Sequence, residues 1–413
     1  MRDFYPDDME RQASVFNAWH TAARRFGFLE YGACVVESLD LLKRKAGEEI
    51  TDQLYCFTDK SGRELALRAE MTPTLARMVA ARQKTLTLPL KWYTIAQCFR
   101  YERMTRGRKR EHYQWNLDVL GEENVSAELE VIAAAVEALS SLGIARALFR
   151  VRFSSRGLLS SILGRLGLPE KHHSAAFLAL DKRGKQTDEQ IQTHLTAAGL
   201  DGSAMEQVTR MLDVSSLDEA LAMAGDDSPA AAQLRTFQDL APAYGLEDVL
   251  FFDISVVRGL AYYTGIVFEA FDTTEGLRAI FGGGRYDNLL GDVGGKPMTG
   301  VGLGFGDVVL SEMLALTADP APPRPSNSLA VGYMDDAQRT LAMSLAAAAR
   351  RDGRNVDLGL HPERAKNFFA RASKGSFAEA VYVGPDDAAA GTVRFKDLAT
   401  RSEREIAIAD ILR

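Results

Sequence analysis

"FRYERMTRGRKREHYQWNLDVLG", residues 99–121, sets five arginines and a lysine into positions 100 to 110 and then alternates polar with apolar residues. In an extended chain successive side chains point to opposite faces. Tyr113, Trp115, Leu117 and Val119 therefore share one face, and His112, Gln114, Asn116 and Asp118 the other. The spacing predicts a strand with one core face and one row of hydrogen-bonding groups. A second strand is expected in "KWYTIAQCFRYER", with the charged loop joining the two as an antiparallel hairpin. Arg100 falls just inside the first strand, where a side chain is held, while Arg103, Arg106, Arg108, Lys109 and Arg110 occupy a mobile turn. Guanidinium forks pair with phosphate oxygens through two parallel hydrogen bonds, so this hairpin suits a nucleoside triphosphate or an RNA end. A solvated sheet face would show the same alternation; the density of arginines favours a ligand.

Outward from the hairpin, "DDMERQASVFNAWHTAARRFGF" carries Met9, Val15, Phe16, Trp19, Ala22 and Phe26 at near-helical spacing, with Gly27 as its stop. Short strands are expected at "EYGACVVE", "QLYCFTD" and "ELALR", then a helix at "TPTLARMVAARQ" with Thr72 as N-cap and Pro73 first in the helix. A long apolar helix follows at "AELEVIAAAVEALSSLG". This order predicts an α+β fold, an antiparallel sheet with helices, in a catalytic domain whose first part spans 1–155. Residues 156–245 turn helical, which predicts an insertion, and strands resume in 246–316 with "VLFFDISVV" and "TGIVFEAF". Prolines at 320, 322, 323 and 325 mark an extended linker over 317–327. Strand and helix patterns then alternate over 328–413, a small α/β domain.

Of the 413 residues, 46% are hydrophobic and 25% charged, and the net charge is −7. Phosphate or RNA contact must therefore come from local patches rather than from a polycationic surface. No apolar signal core opens the sequence and no run of about 18 apolar residues occurs, so a cytoplasmic protein without a membrane partner is expected. Cys34, Cys56 and Cys98 are too few and too scattered for a disulfide framework or a cysteine-rich zinc site, and the six histidines lack ligand spacing. No structural metal is expected.

Three further stretches carry chemistry. "LRAEMTPT" puts Glu70 and Thr72 at a strand end before a helix, a place for ligand contacts or for capping alone. "VVRGLAYYTGIVFEAF" sets Arg258 between two apolar strands, where a charge needs a partner such as a carboxylate or phosphate, and adds Tyr262 and Tyr263. "FGGGRYDNLLG" supplies Gly282, Gly283 and Gly284 for close backbone approach, without the spacing of a dinucleotide or P-loop fingerprint.

As an ordered set these motifs resemble the histidyl-tRNA synthetase family, class II aminoacyl-tRNA synthetases, over almost the whole chain. Residues 99–121 are similar to class II motif 2, "VVRGLAYYTGIVFE" to the family's histidine signature, and the residues past 326 to its anticodon-binding domain. The resemblance implies a homodimer that forms histidyl-adenylate from histidine and ATP, with Mg2+ accompanying the ATP, and passes the histidyl group to tRNA(His). By position it implies that Arg100 holds the α-phosphate and Arg108 the outer phosphates, with Glu102 and His112 also at the ATP. Glu70, Thr72 and Gln114 would hold the α-amino group, with Tyr262 among the histidine contacts. Asp118 and Tyr263 would serve the imidazole nitrogens, and Arg258 the carboxylate and the charge developing at phosphorus. Arg103, Met104, Thr105 and Arg106 would face the tRNA acceptor end. An adenylation site of this kind needs alignment and positive charge, and no protein nucleophile.

The sequence also departs from the family pattern. Motif 3 usually ends in an arginine, but "GVGLGFGDVVLSEML" offers Asp307 and Val308 there, and Arg278, Arg285 or a loop arginine stand as substitutes. Cys34 replaces a motif 1 proline, Ala261 an aspartate before the paired tyrosines, and His112 a phenylalanine. Met104 and Thr105 stand where many members have proline and glutamine, residues that help recognise an extra 5′ guanosine on the tRNA. The departures fit a divergent synthetase branch or, alternatively, a catalytically silent paralogue, the histidine-binding regulatory subunit of ATP phosphoribosyltransferase. A generic RNA-binding module would explain the basic loop but not the histidine-shaped set.

Overall fold

The computed structural model describes residues 2–43, 53–182, 186–257, 262–274, 276–317, 327–375 and 377–412. Its contacts fall into two compact units, Met1–Pro320 and Ala321–Arg413.

The first unit holds strands β1 (Leu29–Glu30), β2 (Val36–Ser38), β3 (Tyr55–Thr58), β4 (Glu64–Leu67), β5 (Leu90–Phe99), β6 (Glu111–Leu120), β7 (Phe149–Ser155), β8 (Leu250–Phe252), β9 (Ile266–Asp272), β10 (Phe281–Arg285) and β11 (Gly300–Gly306). Eight of them form one sheet in the order β1-β5-β6-β11-β10-β9-β7-β8, and β2, β4 and β3 form a second. Only the outer pairs β1–β5 and β7–β8 run parallel; the centre is antiparallel, as the α+β expectation requires. The hairpin β5–β6 pairs from Leu90↔Leu120 to Phe99↔Glu111, and the Arg100 amide donates to the Arg110 carbonyl at 2.9 Å. Arg100 thus lies one residue beyond the strand rather than inside it, still gripped by the ladder.

One face of this sheet is the core. Trp115 and Leu117 of β6, Leu303 and Phe305 of β11 and Phe281 of β10 pack beneath the helices Pro6–Arg25 and Ser126–Ser141. Trp19 stacks on Trp115 with centroids 5.9 Å apart. Pro6 opens the first helix, Asp7 and Asp8 sit in its first turn against the helix dipole, and Val15, Trp19 and Ala22 are buried as their spacing predicts. Met9 is exposed, so the apolar stripe begins a turn later than expected.

Several local expectations need correction. "EYGACVVE" is not one strand: β1 and β2 belong to different sheets. "VLFFDISVV" supplies only the three residues of β8; Val256 and Val257 are buried outside any strand. The helix Thr72–Arg82 takes Met71 as its N-cap and makes no side-chain cap, so Thr72 is its first residue and Pro73 its second. β10 and β11 are strands despite three and four glycines, because the neighbouring strands β9 and β6 template them from either side.

Within 156–245 lie the helices Arg156–Arg165, His173–Lys182, Asp188–Ala197, Gly202–Leu212, Leu217–Ala224 and Pro229–Leu240, all within the first compact unit. Side chains of Ser155, Thr187, Asp201, Ser216 and Ser228 accept N-cap hydrogen bonds, which explains why short segments hold helical ends.

In the second unit β12 (Ser328–Tyr333), β13 (Asn355–Leu358), β14 (Glu379–Val383), β15 (Thr392–Asp397) and β16 (Glu403–Ala407) form a sheet ordered β13-β12-β14-β15-β16. The helices Arg339–Arg351 and Ala365–Lys374 connect its parallel strands. No described helix is long and apolar enough to cross a membrane.

Candidate active site

The sheet face opposite the core is floored with glycine. Register sets Gly302 against Asp118, Gly304 against Asn116 and Gly306 against Gln114, while Gly284 and Gly282 of β10 lie beyond Gly302 and Gly304. A Cβ at Gly302 would fall 2.3 Å from Asp118 Oδ1, and one at Gly304 2.4 Å from Gln114 Nε2. Glycine is needed because the polar side chains of β6 lean sideways over β11. The result is a strip of bare backbone beside His112, Gln114, Asn116 and Asp118, a floor on which a planar group can lie.

Asp118 is 1% exposed. The Tyr286 hydroxyl donates to its Oδ1 at 2.5 Å, and Oδ2 is buried without a hydrogen-bond partner among the described residues. Burial pushes its carboxyl up to about 7; Tyr286 pulls down and nearby Glu70 pushes further up. Asn116 Oδ1 and the Tyr31 hydroxyl are likewise buried without hydrogen bonds among the described residues. Glu70, also buried, accepts from the Tyr262 hydroxyl at 3.1 Å. Tyr262 lies against Tyr263 (5.0 Å between centroids) and Tyr286 (5.9 Å), and Tyr263 passes over Gly284. Glu70, Asp118, Tyr262 and Tyr263, 192 residues apart at the extremes of one hydrogen bond, therefore meet around the floor. Thr72 opens the adjoining helix, where its hydroxyl is not taken by capping.

The other end of the floor is cationic. Arg100 Nε donates to the Ala69 carbonyl at 3.1 Å, which fixes its side chain beside Glu70. Burial above all, together with the charges of Arg100 and Arg2, lowers the His112 ring to about 3, so the imidazole is neutral at physiological pH. The loop tip is tethered rather than loose: Arg106 Nε and the Gly107 amide both donate to Glu312 at 2.8 Å, and Arg108 pairs with buried Glu102. Arg103, Met104 and Thr105 project into solvent.

Arg258 lies outside the described residues. Of the arginines considered as substitutes in motif 3, Arg285 faces the core side of β10, where Glu128 takes its Nε and Nη2 at 2.7 Å each. Arg278 is exposed beside Gly107. Asp307 is paired with Arg2 at 2.8 Å.

Sequence reasoning did not single out Tyr286, Tyr31, Arg2 or the glycines of β11. Tyr286 sits next to the quoted glycine run, and the period-two glycines at 300, 302, 304 and 306 were a readable sign of a strand with one bare face. The Arg2–Asp307 contact spans 305 residues and leaves no local pattern.

Comparison with known proteins agrees with this geometry. A family model described as histidyl-tRNA synthetase matches residues 1–306. The chain is 41% identical over 411 residues to a histidine–tRNA ligase, chloroplastic/mitochondrial, of Arabidopsis thaliana, covering 99% of this chain and 84% of that protein. It is 40% identical over 413 residues to a histidine–tRNA ligase of Opitutus terrae, covering 98% and 94%. A crystal structure of histidyl-tRNA synthetase from Nostoc sp. PCC 7120 superposes with a TM-score of 0.82 at 22% identity, covering 99% of this chain and 97% of that one. A structure from Bacillus halodurans C, titled ATP phosphoribosyltransferase regulatory subunit/histidyl-tRNA synthetase, gives 0.77 at 22% identity, covering 93% and 97%; at that identity both show the fold alone. An antiparallel sheet with a glycine-floored polar face, a family model matching residues 1–306 and near-complete alignment at about 40% identity lead to one statement: the chain belongs to the histidyl-tRNA synthetase family.

Proposed function

We propose that the chain activates histidine with ATP and transfers the histidyl group to tRNA(His), the histidine–tRNA ligase reaction. One observation carries this reading: Asp118, buried over bare backbone, keeps one oxygen on Tyr286 and presents the other without a partner among the described residues. That oxygen is an acceptor for a ring N–H of a planar ligand, and a ligand lacking the N–H leaves a buried polar atom unpaired.

In this reading Asp118 and Tyr263 serve the two imidazole nitrogens, while Tyr286 and Tyr262 brace Asp118 and Glu70. Glu70, Thr72 and Gln114 take the α-amino group, and Arg258 the carboxylate and the charge developing at phosphorus. Arg100 holds the α-phosphate, Arg108 the outer phosphates once released from Glu102, and neutral His112 lies against adenine. Mg2+ enters with the phosphates as part of the nucleotide substrate. A histidine carboxylate oxygen attacks the α-phosphorus, the bond to the bridging oxygen breaks, and pyrophosphate leaves. The 3′-terminal ribose hydroxyl of the tRNA then attacks the histidyl carbonyl and AMP leaves. Neither step needs a protein nucleophile, which fits a site of arginines and hydrogen-bond acceptors.

Residues 103–106 would meet the tRNA acceptor end, 156–245 form an insertion domain between catalytic parts 1–155 and 246–316, and 328–413, after the linker 317–327, read the anticodon. The working form would be a cytoplasmic homodimer. Purified protein should exchange pyrophosphate into ATP only when histidine is added, and then charge tRNA(His). Histidine binding without exchange would move the chain to the regulatory-subunit reading.

A further inference from the structure

We propose that Arg2 contacts the nucleotide: its guanidinium, fastened to Asp307 at the His112 end of the glycine floor, supplies a cation to the phosphates of ATP. The inference rests on reading that end as the nucleotide site.

The fastening is geometric. Arg2 Nη2 donates to Asp307 Oδ2 at 2.8 Å, and Asp307 Oδ1 accepts the amide of Tyr113 at 2.9 Å. Tyr113 lies between His112 and Gln114, so the carboxylate ties the guanidinium to the strand that carries the polar row. The side chains are 20% and 5% exposed, which separates this contact from a surface ion pair. Arg2 gives one nitrogen, lies 4.9 Å over the Phe4 ring, and keeps a buried Nε without a hydrogen-bond partner among the described residues. An arginine braced on one nitrogen is held in orientation while other donors stay available for an anion.

The surroundings leave room for this role. The helix Asp307–Thr317 has no lysine or arginine, and buried Val308 follows Asp307. Arg285 points to the opposite face of the sheet. The positive charge of Arg2, with that of Arg100, already reaches His112. A segment preceding the helix Pro6–Arg25 thus brings to this end, beside Arg100, a cation that the helix Asp307–Thr317 does not provide.

The test uses the full chain and pyrophosphate exchange, with KM for ATP and for histidine measured separately. Arg2→Met should raise the ATP KM on the order of tenfold to a hundredfold, the loss of a charge-assisted hydrogen bond, with histidine KM unchanged and partial recovery in Arg2→Lys. An unchanged ATP KM overturns the inference. So does full recovery in the double variant Arg2→Met with Asp307→Asn, because Arg2 would then be an anchor that only neutralises Asp307. Arg100→Met separates this failure from failure of the site reading: if it raises the ATP KM while Arg2→Met does not, only the inference falls, and if both are silent the reading falls too. Should Arg2→Met not fold, Asp307→Asn keeps Arg2 but unfastens it; a raised ATP KM there supports the proposal and an unchanged one overturns it.

Discussion

Alternate residues of the same strands build two faces of the central sheet, and the two faces bury charge in opposite ways. On the core face Arg285 meets Glu128 through two hydrogen bonds of 2.7 Å and donates to the carbonyls of Glu122 and Asn124 at 3.1 Å. Both carboxylate oxygens and three guanidinium nitrogens have partners. On the other face, two strands away on β6, Asp118 and Asn116 each keep a buried oxygen that no described residue satisfies. A complete buried network fixes a fold, whereas an incomplete one is strained unless something arrives to finish it.

The largest effect expected is on the closed network. Arg285→Met removes one partner and leaves Glu128 buried and uncompensated, which costs about 3–5 kcal/mol. Urea unfolding of the variant should show that loss, while the fraction that remains folded keeps its KM for histidine and ATP. A stable variant with a raised histidine KM would place Arg285 in the site and break the distinction between the faces.

The open face is next. Gly302→Ala would set a methyl 2.3 Å from Asp118 Oδ1 and 3.0 Å from Tyr286 Cε1, so the carboxylate must shift. A displacement on the order of 1 Å costs about a hundredfold in rate, to be read by pyrophosphate exchange with the fold checked by circular dichroism. Gly306→Ala, whose methyl meets nothing within 4 Å, sharpens the result. Equal loss in both variants would mean that the floor serves the ligand itself rather than the seat of Asp118.

These two faces were unequally legible in the sequence. The alternation of β6 was readable because Trp115 and Leu117 contrast strongly with Gln114, Asn116 and Asp118. β10 and β11 were less so: the period-two glycines of β11 mark a bare face, but glycine has a poor strand preference of its own, and pairing with β6 and β9 is what makes them strands. Glu70, Asp118, Tyr262 and Tyr263 were singled out in their local stretches and took their roles from the family resemblance, yet Tyr286 as the brace of Asp118 depends on a contact 168 residues apart. The tethers Arg106–Glu312 and Arg2–Asp307 are of the same kind: a charge run announces its presence but not its partner. Long-range pairing of charges is a property of the folded register, which local pattern does not encode.

The smallest effect separates the faces by titration. The folded value of Asp118, about 7, lies above its ordinary 3.8. A raised carboxyl contributes stability that is present below the ordinary value and is lost as pH rises through the folded one. The groups facing it are Tyr286, Glu70 and Tyr31. Of these, Tyr286 and Tyr31 are held well above the ordinary tyrosine value by burial and by Asp118 itself, so neither titrates in this window. Stability should therefore decline between about pH 4 and 7, and Asp118→Asn should flatten that decline. Histidine binding should move the other way, because only the ionised carboxylate accepts the ring N–H without giving up a proton: the histidine KM should fall as pH rises through about 7. Free histidine titrates near 6.5 on its own account, so the diagnostic is the difference between wild type and Asp118→Asn, expected to be roughly tenfold across the window for one proton-linked site. A wild-type profile that matches the variant's would mean that Asp118 is already ionised over its floor, and that its second oxygen is satisfied in the folded protein as fully as those of Glu128.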